Sequence, residues 1–260
     1  TWFARTTDGG ASWEEARQIY DPGEVNQTIG NQIVVSPNGE LINVFNLIYN
    51  FKNAHKVRGY NVAILSSSDH GASWSSKATI IDKLQTVGVT IPDSGDPVRT
   101  GDIIPEIAVD HNNGNLYVVW QDARFSDGAY DEVAFSMSTD GGSTWSNTMK
   151  VNKSHGFAAF TPSVRVSSDG TVGVTYYAFT NGSGMTDYYL VTCSSDCGDP
   201  AKWGNETRVT KDSFDMTQAP NARGFFTGDY EGLATNSGDF LTFFSQPHGS
   251  DKASVFFSRQ

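Results

Sequence analysis

The chain has 260 residues, a formal net charge of -11 and a sequence pI of about 4.7. Its glycine, aromatic and charged content is that of a globular protein, and no apolar run approaches the roughly 20 residues that span a bilayer. The acidic balance argues against nucleic acids and anionic membranes as partners, whereas a carbohydrate (glycan) ligand is compatible with it.

Short strand-like segments with period-two alternation recur along the chain in groups of three. After an initial pair at 1–6 and 16–20, the groups are 31–36, 41–48 and 60–66; 104–110, 115–121 and 132–137; 162–167, 171–178 and 187–193; and 230–235, 240–244 and 254–258. Helical periodicity is weak throughout. The segments 82–103 and 210–229 are predicted to be long irregular loops, which in compact domains are usually functional or mobile.

One eight-residue stretch, residues 138–145, recurs at 6–13 and 67–74 and, in a degraded form, at 194–203. The shared pattern is Ser/Thr-x-Asp-x-Gly-x-Ser/Thr-Trp. Glycine accepts positive φ in a turn, the Asp carboxylate accepts backbone N–H groups, and Trp supplies a large apolar body for the core. We therefore assign a structural role to the aspartates of the four copies, which are Asp8, Asp69, Asp140 and Asp196.

This pattern resembles the Asp-box, or BNR repeat, of the sialidase superfamily. The resemblance implies an all-β fold, a β-propeller of four-stranded antiparallel blades with six blades when complete, and boxes on the rim away from the substrate. The strand count indicates that the chain begins at the third strand of one blade and ends at the third strand of another, with three full blades between them. We therefore expect residues 1–260 to form a single propeller domain of about four to five blades. A missing N-terminal segment or a partner chain would complete the ring.

Candidate site residues are the polar side chains at the mouth of the central channel, where the inner strand of each blade begins. The predicted catalytic residues are Glu106, Asp229, Tyr230 and Glu231, and the predicted ligand-binding residues are Asp102, Asp122, Arg124, Arg165 and Arg223. Further polar or aromatic flanking positions are Asn31, Gln32, Trp120, Gln121 and Thr161.

Three of these assignments have specific alternatives. Glu106 lies in an apolar segment, where a carboxylate is costly unless it is paired, so it is either a catalytic carboxylate or half of a structural ion pair. Asp122 and Arg124 bind a ligand or, as the favoured alternative, each other. If 229–231 is strand, Asp229 and Glu231 share one side and Tyr230 faces the other, so a tyrosine nucleophile would need Glu106 from another blade.

The resemblance also implies a secreted glycoside hydrolase that removes terminal sialic acid, with three substrate-binding arginines, a Tyr–Glu nucleophile pair and an acidic Asp. The family's Arg-Ile-Pro phrase does not occur here, because Ile91-Pro92 and Ile104-Pro105 lack the preceding arginine. We therefore predict a secreted, carbohydrate-active propeller, with an exo-acting glycosidase and a non-catalytic glycan- or protein-binding propeller as the two alternatives. No cofactor or metal is predicted.

The two cysteines, Cys193 and Cys197, lie within the degraded box. Their spacing permits a small disulfide, and two free thiols are the alternative. The chain begins at Thr1 without Met, which fits a processed or trimmed chain better than a cytosolic start.

Overall fold

The computed structural model describes residues 1–153 and 156–260 and consists mainly of antiparallel sheets arranged as blades. An N-terminal pair, β1 (Trp2–Phe3) and β2 (Arg17–Gln18), precedes the first four-stranded blade, which is β3 (Gln27–Val35), β4 (Leu41–Tyr49), β5 (Gly59–Ser67) and β6 (Thr79–Lys83). Each strand of this blade pairs with the next along the chain. The predicted all-β fold with four-stranded antiparallel blades is confirmed.

The next segment, predicted as a loop, instead contributes two short strands, β7 (Val89–Thr90) and β8 (Pro97–Arg99). The second blade follows as β9 (Glu106–Val109), β10 (Leu116–Asp122), β11 (Glu132–Ser138) and β12 (Met149–Lys150). The third blade is β13 (Ala159–Val166), β14 (Val172–Phe179), β15 (Met185–Cys193) and β16 (Thr207–Arg208), and β17 (Phe214–Asp215) also pairs with β15.

The last sheet has three strands, β19 (Gly232–Asn236), β20 (Asp239–His248) and β21 (Asp251–Arg259), and it follows β18 (Phe225–Phe226). Single 3₁₀ turns occur at Ala123–Ser126, Pro200–Lys202 and Met216–Gln218. The inner strands β3, β9, β13 and β19 lie side by side in that order and line the central channel.

The two segments predicted to be irregular loops in fact pair with each other. β18 lies parallel to β8, and β7 lies antiparallel to β8, which gives a small sheet between the blades. Strands of two or three residues are too short to show a period-two pattern, so this sheet could not be predicted from the sequence. It holds 97–99 and 225–226 in fixed positions beside the channel mouth.

Aromatic packing between the third blade and the last sheet forms much of the core. Tyr177 and Tyr188 are fully buried, and Tyr188 stacks on Phe244 with ring centroids 4.7 Å apart. The opposite face of the last sheet is open, since Phe243 and Phe257 lie 4.9 Å apart and are 45% and 56% exposed. The predicted further blades stay a prediction.

Three Asp-boxes have the same hydrogen-bond pattern. In the box of residues 138–145, Ser138 Oγ donates to Asp140 Oδ1 at 2.8 Å and accepts from Gly142 N, while Thr144 donates its N–H and hydroxyl to the two carboxylate oxygens. These bonds, the Thr144 hydroxyl first, lower the pKa of Asp140 to about 2. Asp8 and Asp69 are bonded in the same way within their own boxes.

The fourth box departs from this pattern. Asp196 has a φ of 53° and caps the turn through its carbonyl, while a disulfide joins Cys193 to Cys197. Trp203 Nε1 donates to the Cys197 carbonyl at 3.1 Å, and Trp203 is buried in the core as predicted for the box tryptophans. For the first box that prediction is wrong, since Trp13 is 64% exposed. The covalent link replaces the carboxylate as the element that fixes this turn.

We expect Ser138→Ala to destabilise the protein by about 1–3 kcal/mol, because it leaves the buried Gly142 N–H without an acceptor. Urea unfolding would measure the change. The matched control is Thr6→Ala, which removes the same bonds from the more exposed first box and should cost less. An equal loss in both variants would contradict the role of burial.

Candidate functional site

The mouth of the channel is shaped by backbone irregularities at the starts of the inner strands. β3 has a bulge between Ile29 and Gln32, and β13 has one between Phe160 and Ser163. Within the second bulge Thr161 has a φ of 50°, an uncommon conformation for a β-branched residue. Gln121 Oε1 accepts its N–H at 2.9 Å and the Thr100 carbonyl accepts its hydroxyl at 3.2 Å, which holds it there. The bulge sets the position of Ser163.

Glu106 is the first residue of β9 and its side chain is buried at the channel mouth. Ser163 Oγ donates to Glu106 Oε2 at 2.7 Å. Burial raises the pKa of Glu106, and the Ser163 hydrogen bond and the charge of Arg165 oppose that rise without cancelling it. Glu106 is thus a carboxyl held by a neutral hydroxyl, which differs from the structural ion pair considered as its alternative.

Glu231 is a second carboxyl at this mouth. Burial raises its pKa to about 8, the charge of Glu106 adds to the rise, and hydrogen bonding with the Tyr177 hydroxyl and the Ser245 backbone opposes it. Glu231 Oε1 is buried and has no hydrogen-bond partner in the part of the chain that the structure describes. The Tyr177 hydroxyl is itself fixed, since it donates to the Ser245 carbonyl at 2.6 Å and accepts from Ser245 N at 3.0 Å.

Tyr230 is 58% exposed at the same place. Partial burial raises its pKa, and the negative charges of Asp229 and Glu106 add to the effect. The charge of Glu106 therefore acts on Tyr230, although the inner strand β13 lies between β9 and β19.

Asp229 pairs with an arginine that the sequence reasoning missed. Arg99 donates to Asp229 Oδ1 from Nε at 3.1 Å and to Oδ2 from Nη2 at 2.5 Å, and its guanidinium lies 4.5 Å from the Phe226 ring centre. Residues 229–231 precede β19, so the expectation that Asp229 and Glu231 share one side of a strand is wrong. Asp229 faces Arg99, whereas Glu231 faces Tyr177. No local pattern in the sequence marks Arg99, because its partner is 130 residues away.

An open groove of about 560 Å³ lies beside this ion pair. Its polar lining includes Arg99, Thr100, Asp102, Arg223 and Asp229. Arg223 has a φ of 69°, is exposed, and makes no hydrogen bond or ion pair within residues 1–153 and 156–260. The groove therefore brings two predicted site residues, Asp102 and Asp229, beside the free guanidinium of a third, Arg223.

Arg165 lies elsewhere, deeper in the channel, where it lines a cavity of about 480 Å³ together with Gln32 and His111. Its guanidinium donates to the Val164 carbonyl at 3.0 Å. Arg165 acts on the predicted site through its positive charge, which lowers the pKa of Glu106.

Asp122 and Arg124 form the self-contained pair that was the favoured alternative. Buried Asp122 accepts from Trp120 Nε1 at 2.9 Å, Gln85 N at 3.1 Å and Arg124 Nε at 2.9 Å. Arg124 also pairs with Asp82. Because every one of these groups already has a partner, we assign Asp122 and Arg124 a structural role that fixes residues 82–85 against the second blade.

No group of three or more His, Cys, Asp or Glu side chains among the described residues is placed to hold a metal ion. No helix in this part of the chain is long and apolar enough to cross a membrane.

Comparisons with known proteins agree on the architecture. The family model described as a BNR repeat-like domain matches residues 1–249. No curated protein matches the chain. Among solved structures, a protein of unknown function from Dyadobacter fermentans superposes with a TM-score of 0.56 at 15% identity, covering 93% of this chain and 71% of that one.

Two structures with stated activities have the same fold. The NanB sialidase from Streptococcus pneumoniae has a TM-score of 0.53 at 10% identity and covers 93% of this chain, which spans 54% of that protein. The GH93 α-L-arabinofuranosidase of Fusarium graminearum has a TM-score of 0.50 at 14% identity, with 93% and 65% covered. With its three repeated boxes and its four-stranded blades, the chain belongs to the BNR repeat-like domain family.

Proposed function

We propose that this propeller acts on carbohydrate at the channel mouth, as an exo-acting glycoside hydrolase. The observation that carries the proposal is a buried Glu106 carboxyl whose charge acts on the exposed Tyr230, beside a polar groove that Asp229 lines. The sialidase and the arabinofuranosidase of the same fold are glycosidases by name, which supports a carbohydrate substrate. Function follows from the site and not from the fold, so the residues must account for the chemistry.

The proposed reaction uses Tyr230 as nucleophile and Glu106 as base, as the sialidase resemblance implies. Tyr230 transfers its proton to Glu106 while its oxygen attacks the anomeric carbon, and the glycosidic oxygen leaves with the electron pair of the broken bond. A carboxylate whose pKa is raised by burial is a stronger base than an exposed one. Ser163 orients Glu106 for this role.

The groove supports recognition of a terminal sugar that carries an acidic group. Its volume of about 560 Å³ suits one or two sugar rings. Arg223 is the free cation in it among the described residues, whereas Arg99 is already paired with Asp229. One unpaired arginine differs from the three that sialidases use, so the proposed substrate class is an acidic glycoside rather than a sialoside in particular.

A non-catalytic glycan- or protein-binding propeller is the second candidate. It is favoured by the ion pairs that occupy Asp229 and Asp122, because carboxylates held by arginine are not free for acid or base chemistry. Secretion and further blades, from a longer chain or a partner, also stay proposals.

The test is a screen of the protein against fluorogenic exo-glycosides, including sialosides, glucuronides and neutral sugars, with Tyr230→Phe as the matched variant. Turnover of one acidic glycoside that is lost in Tyr230→Phe would support the enzyme. Glycan-array binding without turnover, unchanged in Tyr230→Phe, would establish the binding module instead.

A further inference from the structure

Two aspartates, Asp102 and Asp131, lie on either side of one hydroxyl. Thr86 Oγ1 is 3.0 Å from Asp102 Oδ2 and 2.6 Å from Asp131 Oδ2. Asp131 is fully buried, whereas Asp102 lines the groove. Thr86 therefore connects an interior carboxyl to one that a bound ligand can reach.

The hydrogen bonds around Thr86 can be counted. A hydroxyl offers one hydrogen and two lone pairs, and Gly88 N–H, at 3.0 Å, already uses one lone pair of Thr86 Oγ1. The one hydrogen can bond to a single carboxylate. The other carboxyl must then supply a hydrogen of its own, so all three contacts are hydrogen bonds only when the two aspartates hold one proton between them.

The environment of Asp131 agrees with this count. Its oxygens also accept from Val87 N at 2.9 Å and Gln121 Nε2 at 3.0 Å, which are neutral donors. Burial raises the pKa of Asp131, these hydrogen bonds oppose the rise, and the charge of Asp102 adds to it. The other charged groups that face this segment are Arg99, Arg223 and Asp229 in the groove and Arg124 and Asp127 on the far side of Thr86.

A separate observation points to a ligand beside Asp102. Thr100 lines the same groove and is 4% exposed, and its hydroxyl has no hydrogen-bond partner within the described chain. A buried hydroxyl without a partner is costly, and a polar group of a ligand in the groove would satisfy it.

We propose that Asp102 and Asp131 hold a single proton through Thr86, and that Asp102 gives this proton to the leaving oxygen of a glycoside bound in the groove. The proposal rests on the proposed function and adds an acid to it. Asp102 would be the catalytic residue, while Thr86 and Asp131 are positioning residues that keep the proton available. Two carboxyls that share a proton release it at a higher pH than isolated aspartates do.

The proton transfer is balanced within a hydrolysis. The proton passes from the Asp102 carboxyl to the glycosidic oxygen as the C–O bond breaks, and the oxygen keeps the bonding electron pair. Asp102 is then a carboxylate. Water later attacks the anomeric carbon and returns one proton to Asp102, which restores the pair.

The shared proton can be tested without any substrate. Carboxyl NMR of the full chain labelled with ¹³C-aspartate should show, in wild type, an aspartate titration step at higher pH than those of exposed aspartates, which Asp131→Asn and Thr86→Val both remove. Asp93→Asn, an exposed change in the same segment, should leave the step in place. Absence of such a step in wild type, or its persistence in Asp131→Asn, would overturn the proposal.

The catalytic role is tested by pH profiles of kcat/KM on an acidic glycoside found in the screen. Asp102→Asn should lower kcat by about 10²–10⁴-fold, the usual contribution of a general acid. Asp131→Asn should move the alkaline limb of the profile to lower pH with KM unchanged. If the alkaline limb of the kcat/KM profile of Asp131→Asn coincides with that of wild type, the proposed role of Asp131 is refuted. If no glycoside is cleaved the proposed function fails, while the NMR titration still decides whether the proton is shared.

Discussion

Glu106→Gln is expected to reduce kcat by about 10²–10⁴-fold on any glycoside that the wild-type protein cleaves. Gln has the shape of Glu and its amide can still meet the Ser163 hydroxyl, but it cannot accept the Tyr230 proton. The measurement is steady-state kinetics with the best substrate from the screen. KM should change little, because Glu106 is buried behind the groove rather than in its lining.

A stability measurement distinguishes this loss of catalytic activity from misfolding of the Glu106→Gln variant. The folded-state pKa of Glu106 is raised, so its ionisation on going to neutral pH opposes folding, and Gln removes that penalty. Glu106→Gln should therefore unfold at the same or a higher urea concentration than wild type at pH 7. Exposed Glu15→Gln is the control and should leave kcat unchanged. Full activity in Glu106→Gln would remove Glu106 from the mechanism.

Glu231 is expected to make the protein lose stability as the pH rises from about 5 to 8. Its folded-state pKa of about 8 lies above its ordinary value of 4.5, so the folded protein binds a proton that the unfolded chain has released in this window. The stabilisation is fully present below pH 4.5 and is lost as the pH passes through 8. Its size is roughly 2–5 kcal/mol, from the 1.36 kcal/mol that corresponds to each pKa unit.

Urea unfolding at half-unit steps from pH 4 to 9 measures this dependence. Glu231→Gln should flatten the profile and be the more stable protein at pH 8.5, whereas Glu15→Gln should follow wild type. Glu231→Gln should keep part of the pH dependence of stability, because the pKa values of Glu106 and Asp131 are also raised in the folded protein. Parallel profiles for wild type and Glu231→Gln would show that Glu231 is ionised in the folded protein at neutral pH.

The blades could be predicted from the sequence because their determinants are local. Each box satisfies its own turn within eight residues, as Ser138, Asp140 and Thr144 show, and period-two alternation marks the long strands. Counting strands from the boxes predicted three four-stranded blades between partial sheets. The structure has blades at those places, with β17 as a fifth strand of the third sheet and an additional sheet of β7, β8 and β18.

The candidate site stays a prediction, but the positions of its residues in the fold can be compared with it. Glu106, Asp229, Tyr230 and Glu231 each lie at or just before the start of an inner strand, as the strand pattern predicted. Arg99, Thr86 and Asp131 carried no comparable signal. They lie in short strands or loops whose residue types are also common in ordinary turns.

What the sequence alone determined was therefore the repeated unit, its turn chemistry and the end of the blade where polar side chains collect. Only the tertiary structure decided which carboxyl meets which partner: Glu106 meets Ser163, Asp229 meets Arg99, and Asp131 meets Asp102 through Thr86. The physical reason is the sequence separation of the residues that determine each feature. Turns and strand alternation follow from neighbouring residues, whereas burial and charge at the channel mouth depend on groups from other blades, whose approach no local pattern records.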